Sequence, residues 1–112
     1  MKILQHRTGA SAVVGPQGPI IGADAEQLAA VLAQVIGEGA ASLTLDLDRV
    51  PFVDSRGLEI LMETAEGLIR TGKVLRLAAA NETLREVLRL TGLAPLFEFP
   101  KTAQAATEAG AK

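Results

Sequence analysis

The chain has 112 residues, 48% hydrophobic and 21% charged, which is enough apolar side chain for one domain with a real core and too little bias for a disordered segment. Its formal net charge is -2 and its lysines and arginines are scattered, so the basic stripe that a nucleic-acid footprint needs is missing. There is no cysteine for disulfides or thiolate metal sites, the apolar run in Met1-Lys2-Ile3-Leu4-Gln5-His6-Arg7 is too short for a signal peptide, and no segment approaches a membrane span, so a cytoplasmic single domain over 1–112 without direct membrane insertion is expected.

In chain order, Ile3-Leu4 and Ala12-Val13-Val14 read as short strands, with Thr8-Gly9 and Gly15-Pro16-Gln17-Gly18-Pro19 as turns. Asp24 followed by Gln27 resembles a capping box, behind which Leu28, Val31, Leu32, Val35 and Ile36 form one helical stripe that Gly37 and Gly39 stop. Leu43, Leu45 and Leu47 alternate with Thr44, Asp46 and Asp48, which predicts a strand with one buried face. Val50, Phe52 and Val53 extend its apolar run, although Pro51 interrupts the pattern. A second helix is expected to begin near Leu58, with Leu61, Met62, Ala65, Leu68 and Ile69 on one face and Glu59, Glu63, Glu66 and Arg70 on the other. Thr71-Gly72 closes it, and Lys73 to Ala78 is the next strand. A third helix follows Asn81, capped by Thr83 with Glu86, packs Leu84, Val87 and Leu88, and ends at Thr91-Gly92. Leu96 to Phe99 reads as a last short strand, and the Ala-rich tail beyond about Thr102 as a short helix that frays by Gly110. The order β-β-α-β-α-β-α, then a weak strand and a helix, favours an α/β domain with a partly parallel sheet and right-handed crossovers.

Asp54-Ser55-Arg56-Gly57 stands where apolar strand gives way to amphipathic helix. Backbone N–H groups without intrahelical partners and the positive end of the helix dipole gather there, which suits an anion, a phosphoserine or a plain helix cap. Ser55 is not half of a capping box, because Leu58 occupies the position of the Glu or Gln. Gly57 is a poor helix former in a first turn, which suggests that the backbone leaves room for something. Residue chemistry alone leaves cap and switch both open.

A hydrolase elbow needs glycine two residues before the serine, where Val53 stands, and the single histidine, His6, lies in a strand at the far end of the chain. A Ser–Lys pair stays open but nothing points to one. Asp46 and Asp48, with Asp54 nearby, have the oxygen chemistry of a metal site, but alternate carboxylates on a strand read more simply as its solvated face. Gly15-Pro16-Gln17-Gly18 lacks the Gly-Lys-Ser/Thr ending of a phosphate loop. The acidic face of Glu59, Glu63 and Glu66 reads as solvated, or as a docking surface through its place beside Ser55. No metal or cofactor is expected.

Leu43-Thr-Leu-Asp-Leu-Asp-Arg-Val-Pro-Phe-Val-Asp-Ser-Arg-Gly-Leu58 closely resembles the signature of STAS domains, the bacterial anti-sigma factor antagonists. The likeness continues through Gly72-Lys-Val-Leu-Arg-Leu77 and Val87-Leu-Arg-Leu-Thr-Gly-Leu93, covering roughly residues 20 to 100. The resemblance implies a small mixed sheet of four to five strands, packed on one side by about four helices, without enzymatic activity. It also implies that Ser55 is phosphorylated by a partner that is both serine kinase and anti-sigma factor, that the unmodified form binds this partner, and that a phosphatase resets the cycle. Asp54, Ser55, Arg56, Gly57 and Glu59 would form the partner surface of a chain that is a monomer when alone. The alternative is a STAS subunit of an ABC-type lipid transporter complex, acting by protein binding without phosphorylation. Two positions depart from the family pattern. Gly18-Pro19-Ile20 is followed by Ile21 where an Asp is common, leaving Asp24 as the nearest substitute, and Arg56 replaces a residue that is usually small. Arg56 would clamp a phosphate on Ser55 or face a partner.

Overall fold

The computed structural model describes residues 1–104 and comprises β1 (Lys2–Thr8), β2 (Ser11–Gln17), α1 (Gly22–Gly37), β3 (Ser42–Asp46), α2 (Ser55–Ile69), β4 (Leu75–Ala78), α3 (Glu82–Leu90), a 3-10 turn (Ala94–Leu96) and β5 (Phe97–Glu98). The expected tail helix falls largely on residues 105–112, outside that range. The five strands are ordered as in the chain, β1-β2-β3-β4-β5. β1 and β2 form an antiparallel hairpin, and every later pairing is parallel. Parallel neighbours linked through a helix cross over right-handedly, so a sheet that adds strands in one direction gathers its helices on one face.

That face holds the core. Val14, Leu43, Leu45, Leu75 and Leu77 from the sheet pack on Leu28, Leu32 and Val35 of α1, Leu61, Ala65 and Leu68 of α2 and Leu88 of α3, all essentially buried. The mixed α/β sheet is the expected one, with three α-helices among the described residues.

Several local expectations are corrected. Gly15-Pro16-Gln17 is not a turn but the end of β2, where Gly15 pairs with Leu4 and Pro16 with Ile3. Proline fits because β2 pairs with β3 only as far as Val14–Leu45, leaving one flank of Pro16 without a ladder. Asp24 does not cap α1; the cap position is Ile21, and Asp24 lies in the first turn with its carboxylate 3.2 Å from the Met1 ammonium. β3 stops at Asp46 and does not run on to Val53, because Asp46 Oδ1 accepts from the Asp48 N–H at 3.2 Å and turns the chain. α2 begins at Ser55, ahead of the expected Leu58, and buries Ile60 rather than Ile69, which is 45% exposed. Asn81, not Thr83, caps α3, its Oδ1 accepting from the Leu84 N–H at 2.8 Å.

Candidate functional site at the start of the second helix

Two loops are stitched together beneath Ser55. The Ile20 N–H donates to Phe52 O at 3.1 Å, the Asp54 N–H donates to Ile20 O at 3.1 Å, and Ile20 and Val53 form an isolated parallel bridge. The loop leaving β2 and the segment leading into α2 therefore lie side by side, with Ile20 fully buried between them and the core.

Asp54 locks this junction. It is the cap of α2, in extended conformation, and its Oδ1 accepts from the Gly57 N–H at 2.7 Å. Its Oδ2 accepts from the Gly22 N–H at 2.9 Å. Gly57 and Gly22 sit in the first turns of different helices, so one carboxylate satisfies an orphan donor of each. The hydrogen bond from Gly57, then that from Gly22, holds the Asp54 carboxyl below its ordinary value of 3.8.

With Asp54 as cap, Ser55 is released from that duty. It is the first residue of α2, exposed, and among the described residues its hydroxyl has no hydrogen-bond partner. The Leu58 N–H already bonds Asp54 O at 2.9 Å, so the helix is closed without the serine side chain.

The room implied by Gly57 is filled by the chain itself. Gly57 is buried, and a Cβ there would lie 2.3 Å from Val53 Cγ1 and 2.8 Å from Ile20 O. Its contribution is to let α2 sit against the Ile20 loop.

Arg56 turns towards carboxylates of its own chain. Its Nε is 2.6 Å from Glu26 Oε2 and its Nη2 3.1 Å from Glu26 Oε1, a two-pronged contact with α1. Its Nη1 bonds Glu59 and lies 3.5 Å from Glu63 Oε1. The Arg56 hydrogen bond pulls the Glu26 carboxyl below its ordinary range, while Glu26 and then Glu59 push the Arg56 guanidinium further up. One cation thus ties α1 to α2 at the rim of the corner, and three carboxylates around one guanidinium leave that rim acidic. Glu59 is exposed on the same rim.

Sequence reasoning missed two neighbours. Phe52, read as strand interior, is 54% exposed close to Ser55 in the chain. Asn81 donates from Nδ2 to Pro51 O at 3.0 Å, tying the start of α3 to the segment that carries Phe52. Pro51 was the available signal, since a proline in mid-run marks the end of a ladder.

The other candidates lie elsewhere. Asp46 is engaged in the turn with Asp48, and among the described residues no group of three His, Cys, Asp or Glu side chains is placed to hold a metal ion. His6 is exposed on β1, its Nε2 3.1 Å from Thr8 Oγ1. Asp24, the nearest substitute for the acid missing at Ile21, is paired with the N-terminus. No helix among the described residues is long and apolar enough to cross a membrane.

A mixed, mostly parallel α/β sheet with helices on one face and an unengaged serine opening the second helix defines a STAS-type domain. The STAS domain signature matches residues 2–107, and the chain belongs to that family. BtrV of Bordetella bronchiseptica, provisionally designated an anti-sigma factor antagonist, is 29% identical over 109 residues, covering 97% of this chain and 94% of BtrV. An anti-sigma factor antagonist from Mycobacterium paratuberculosis superposes with a TM-score of 0.86 at 28% identity, covering 99% of this chain and 94% of its own. The Bacillus cell fate determinant SpoIIAA in its phosphorylated form shares the fold, with a TM-score of 0.78 at 22% identity and coverage of 97% and 99%. A sulfate transporter family protein from Wolinella succinogenes also superposes, with a TM-score of 0.75 at 25% identity and coverage of 93% and 88%. The chain has the anti-sigma factor antagonist type of STAS fold.

Proposed function

We propose that this protein is a regulator that binds an anti-sigma factor through the Ser55 corner and is released when Ser55 is phosphorylated. The observation that carries this reading is the division of labour between neighbours: Asp54 performs the capping, leaving the Ser55 hydroxyl exposed and unengaged. The likeness to BtrV and to the mycobacterial antagonist supports the choice of partner, and the phosphorylated form of SpoIIAA supports a phosphate on this fold.

The partner surface comprises Ser55, Glu59, Phe52 and the exposed edge of Arg56, with Asp54 and Gly57 holding the backbone behind it. A phosphate adds roughly -1.5 to -2 charges at neutral pH. Here it joins Glu26, Glu59 and Glu63 around a single guanidinium that is already shared. The added charge acts on the partner more than on the fold, because the cap and the stitched loops do not involve the serine side chain. The partner carries the serine kinase activity, and a phosphatase resets Ser55; the chain itself works by binding and without catalysis.

The test is to incubate the protein with serine kinases from its own genome and to map phosphate by mass spectrometry. Ser55→Ala is expected to abolish labelling, and Ser55→Asp to weaken the partner complex by at least about tenfold, on the order of 1.4 kcal/mol. Labelling elsewhere, with Ser55→Asp binding unchanged, overturns the switch. The likeness to a transporter family protein favours a second reading, a STAS unit that serves a transporter assembly by binding without phosphorylation. Co-purification with a permease or its ATPase, unaffected by Ser55→Asp, would select it.

A further inference from the structure

A cleft of about 250 Å³ opens where β4, α3 and the strand-exit segment Phe99–Lys101 meet, lined by Leu77, Ala79, Ala80, Arg85, Phe99, Pro100 and Lys101. It does not include Ser55 or any residue of the acidic rim. We propose that it binds a small organic anion, with a carboxylate or phosphate at one end and a compact apolar body at the other.

Three independent features support that assignment. The first is charge. Arg85 and Lys101 both reach the cleft, and among the described residues neither cation meets a carboxylate, although Arg7, Arg56, Arg76 and Arg89 each do. Two cations without a carboxylate at ion-pair distance converge on one small concavity and attract an anion, although Lys101 also borders the adjoining cleft that Asp46 and Asp48 line. The second is the wall chemistry. Leu77, Ala79, Ala80, Phe99 and Pro100 offer apolar surface, and convergent polar groups on apolar walls are the usual composition of a ligand site. The volume falls just below the roughly 300–1,000 Å³ of drug-sized sites, which limits the ligand to a small one.

The third is position and strain. The cleft lies just beyond the carboxyl end of β4, where the chain leaves the sheet. There Ala79 has φ +56°, among the described residues the one non-glycine with positive φ. Its N–H donates to Pro100 O at 3.3 Å, so the strained turn is tied to the opposite wall. Left-handed backbone at a side-chain-bearing residue persists where the surroundings hold it, and such positions cluster at binding sites.

The experiment is an amide NMR titration of the full chain with phenyl phosphate and with benzoate, using inorganic phosphate and phenol as single-feature controls. At least one of the two aromatic anions is expected to give saturable shifts at Ala79, Ala80, Arg85 and Phe99. Inorganic phosphate and phenol are expected to bind at least about tenfold more weakly, because each offers only one of the two recognised features. Phenyl phosphate against benzoate decides between phosphate and carboxylate. Arg85→Gln with Lys101→Gln, both at exposed positions and compatible with folding, should weaken the aromatic anion by at least about tenfold, whereas Ser55→Ala should leave it unchanged. Failure of both aromatic anions to saturate, equal binding by the double variant, or shifts that map to the Ser55 corner would each overturn the proposal.

Discussion

Gly57→Ala tests whether the tight seating of α2 on the Ile20 loop holds the corner in place. The new Cβ would stand 2.3 Å from Val53 Cγ1, 2.8 Å from Ile20 O and 3.1 Å from Ile20 Cγ2. Carbon–carbon contacts are comfortable at about 3.5–4.0 Å, so all three are too close. Val53 can yield only by leaving a stiff β-branched rotamer. Ile20 O cannot yield, because it accepts from the Asp54 N–H and its own N–H is bonded to Phe52 O. The first turn of α2 must therefore move outward, stretching the Gly57–Asp54 bond of 2.7 Å. Three contacts this short put the overpacking in the upper part of its usual range, about 2–3 kcal/mol, and the better helix propensity of alanine returns about 1 kcal/mol. The expected net loss is about 1–2 kcal/mol, seen in thermal unfolding as a fall in Tm of about 5–10 °C. Gly67→Ala, in the same helix, is the control. Its Cβ would meet only Arg70 Nη2, at an ordinary 3.8 Å, so propensity alone acts and stability should rise by about 0.5–1 kcal/mol. Opposite signs from two identical substitutions in one helix are the expected result. A Gly57→Ala protein as stable as the parent refutes the packing argument.

Three further outcomes are expected. Asp54 has a folded-state pKa below its ordinary 3.8, so its stabilisation is fully present above that value and is lost as pH falls through the lower folded value. Asp54→Asn should therefore be less stable at neutral pH and show a shallower acid-induced loss than the parent, checked by urea midpoints at about pH 5 and about pH 3; parallel pH profiles would contradict the capping role. Asn81→Ala removes the cap of α3 and the bond to Pro51 O, and should cost about 1–2 kcal/mol in urea unfolding while speeding amide exchange around Phe52. Phe52→Ser removes an exposed ring, so stability should stay within about 0.5 kcal/mol of the parent. Its affinity for the proposed anti-sigma factor partner, measured by calorimetry, should drop by about tenfold or more.

The sequence exposed the architecture more readily than the corner's wiring. Leu28, Leu32 and Val35 in α1, and Leu61, Ala65 and Leu68 in α2, are spaced at the helical period and buried as that period requires. The alternation of Leu43, Leu45 and Leu47 located the central strand, although its end was set by the side chain of Asp46 turning back on Asp48, which periodicity does not register. The helix start was read late because glycine at position 57 weakens a local helix signal, whereas the reason for that glycine, Ile20, lies far away in sequence. The same holds for Asp54 and Gly22, and for Arg56 and Glu26, whose contacts arise only once α1 and α2 are side by side. Asp24 followed by Gln27 imitated a capping box, yet both side chains serve the N-terminus: Asp24 meets the Met1 ammonium, and Gln27 Nε2 donates to Met1 O at 3.0 Å. Local pattern cannot choose among such partners, because the choice is made by tertiary neighbours.

Ser55 is offered to the outside from within a helix, in the first turn of α2 and directly beside a capping carboxylate that also grips α1. Under the proposed switch, a kinase acting on Ser55 would therefore meet no extended strand of substrate to thread through a cleft. It would have to grasp a preformed helix turn in which the Gly57 and Leu58 donors already bond Asp54, with the exposed Phe52 nearby in the chain and the carboxylates around Arg56 within reach of the same turn. A short peptide spanning the same residues would carry the right letters in the wrong shape, and would be a poor substitute for the folded chain.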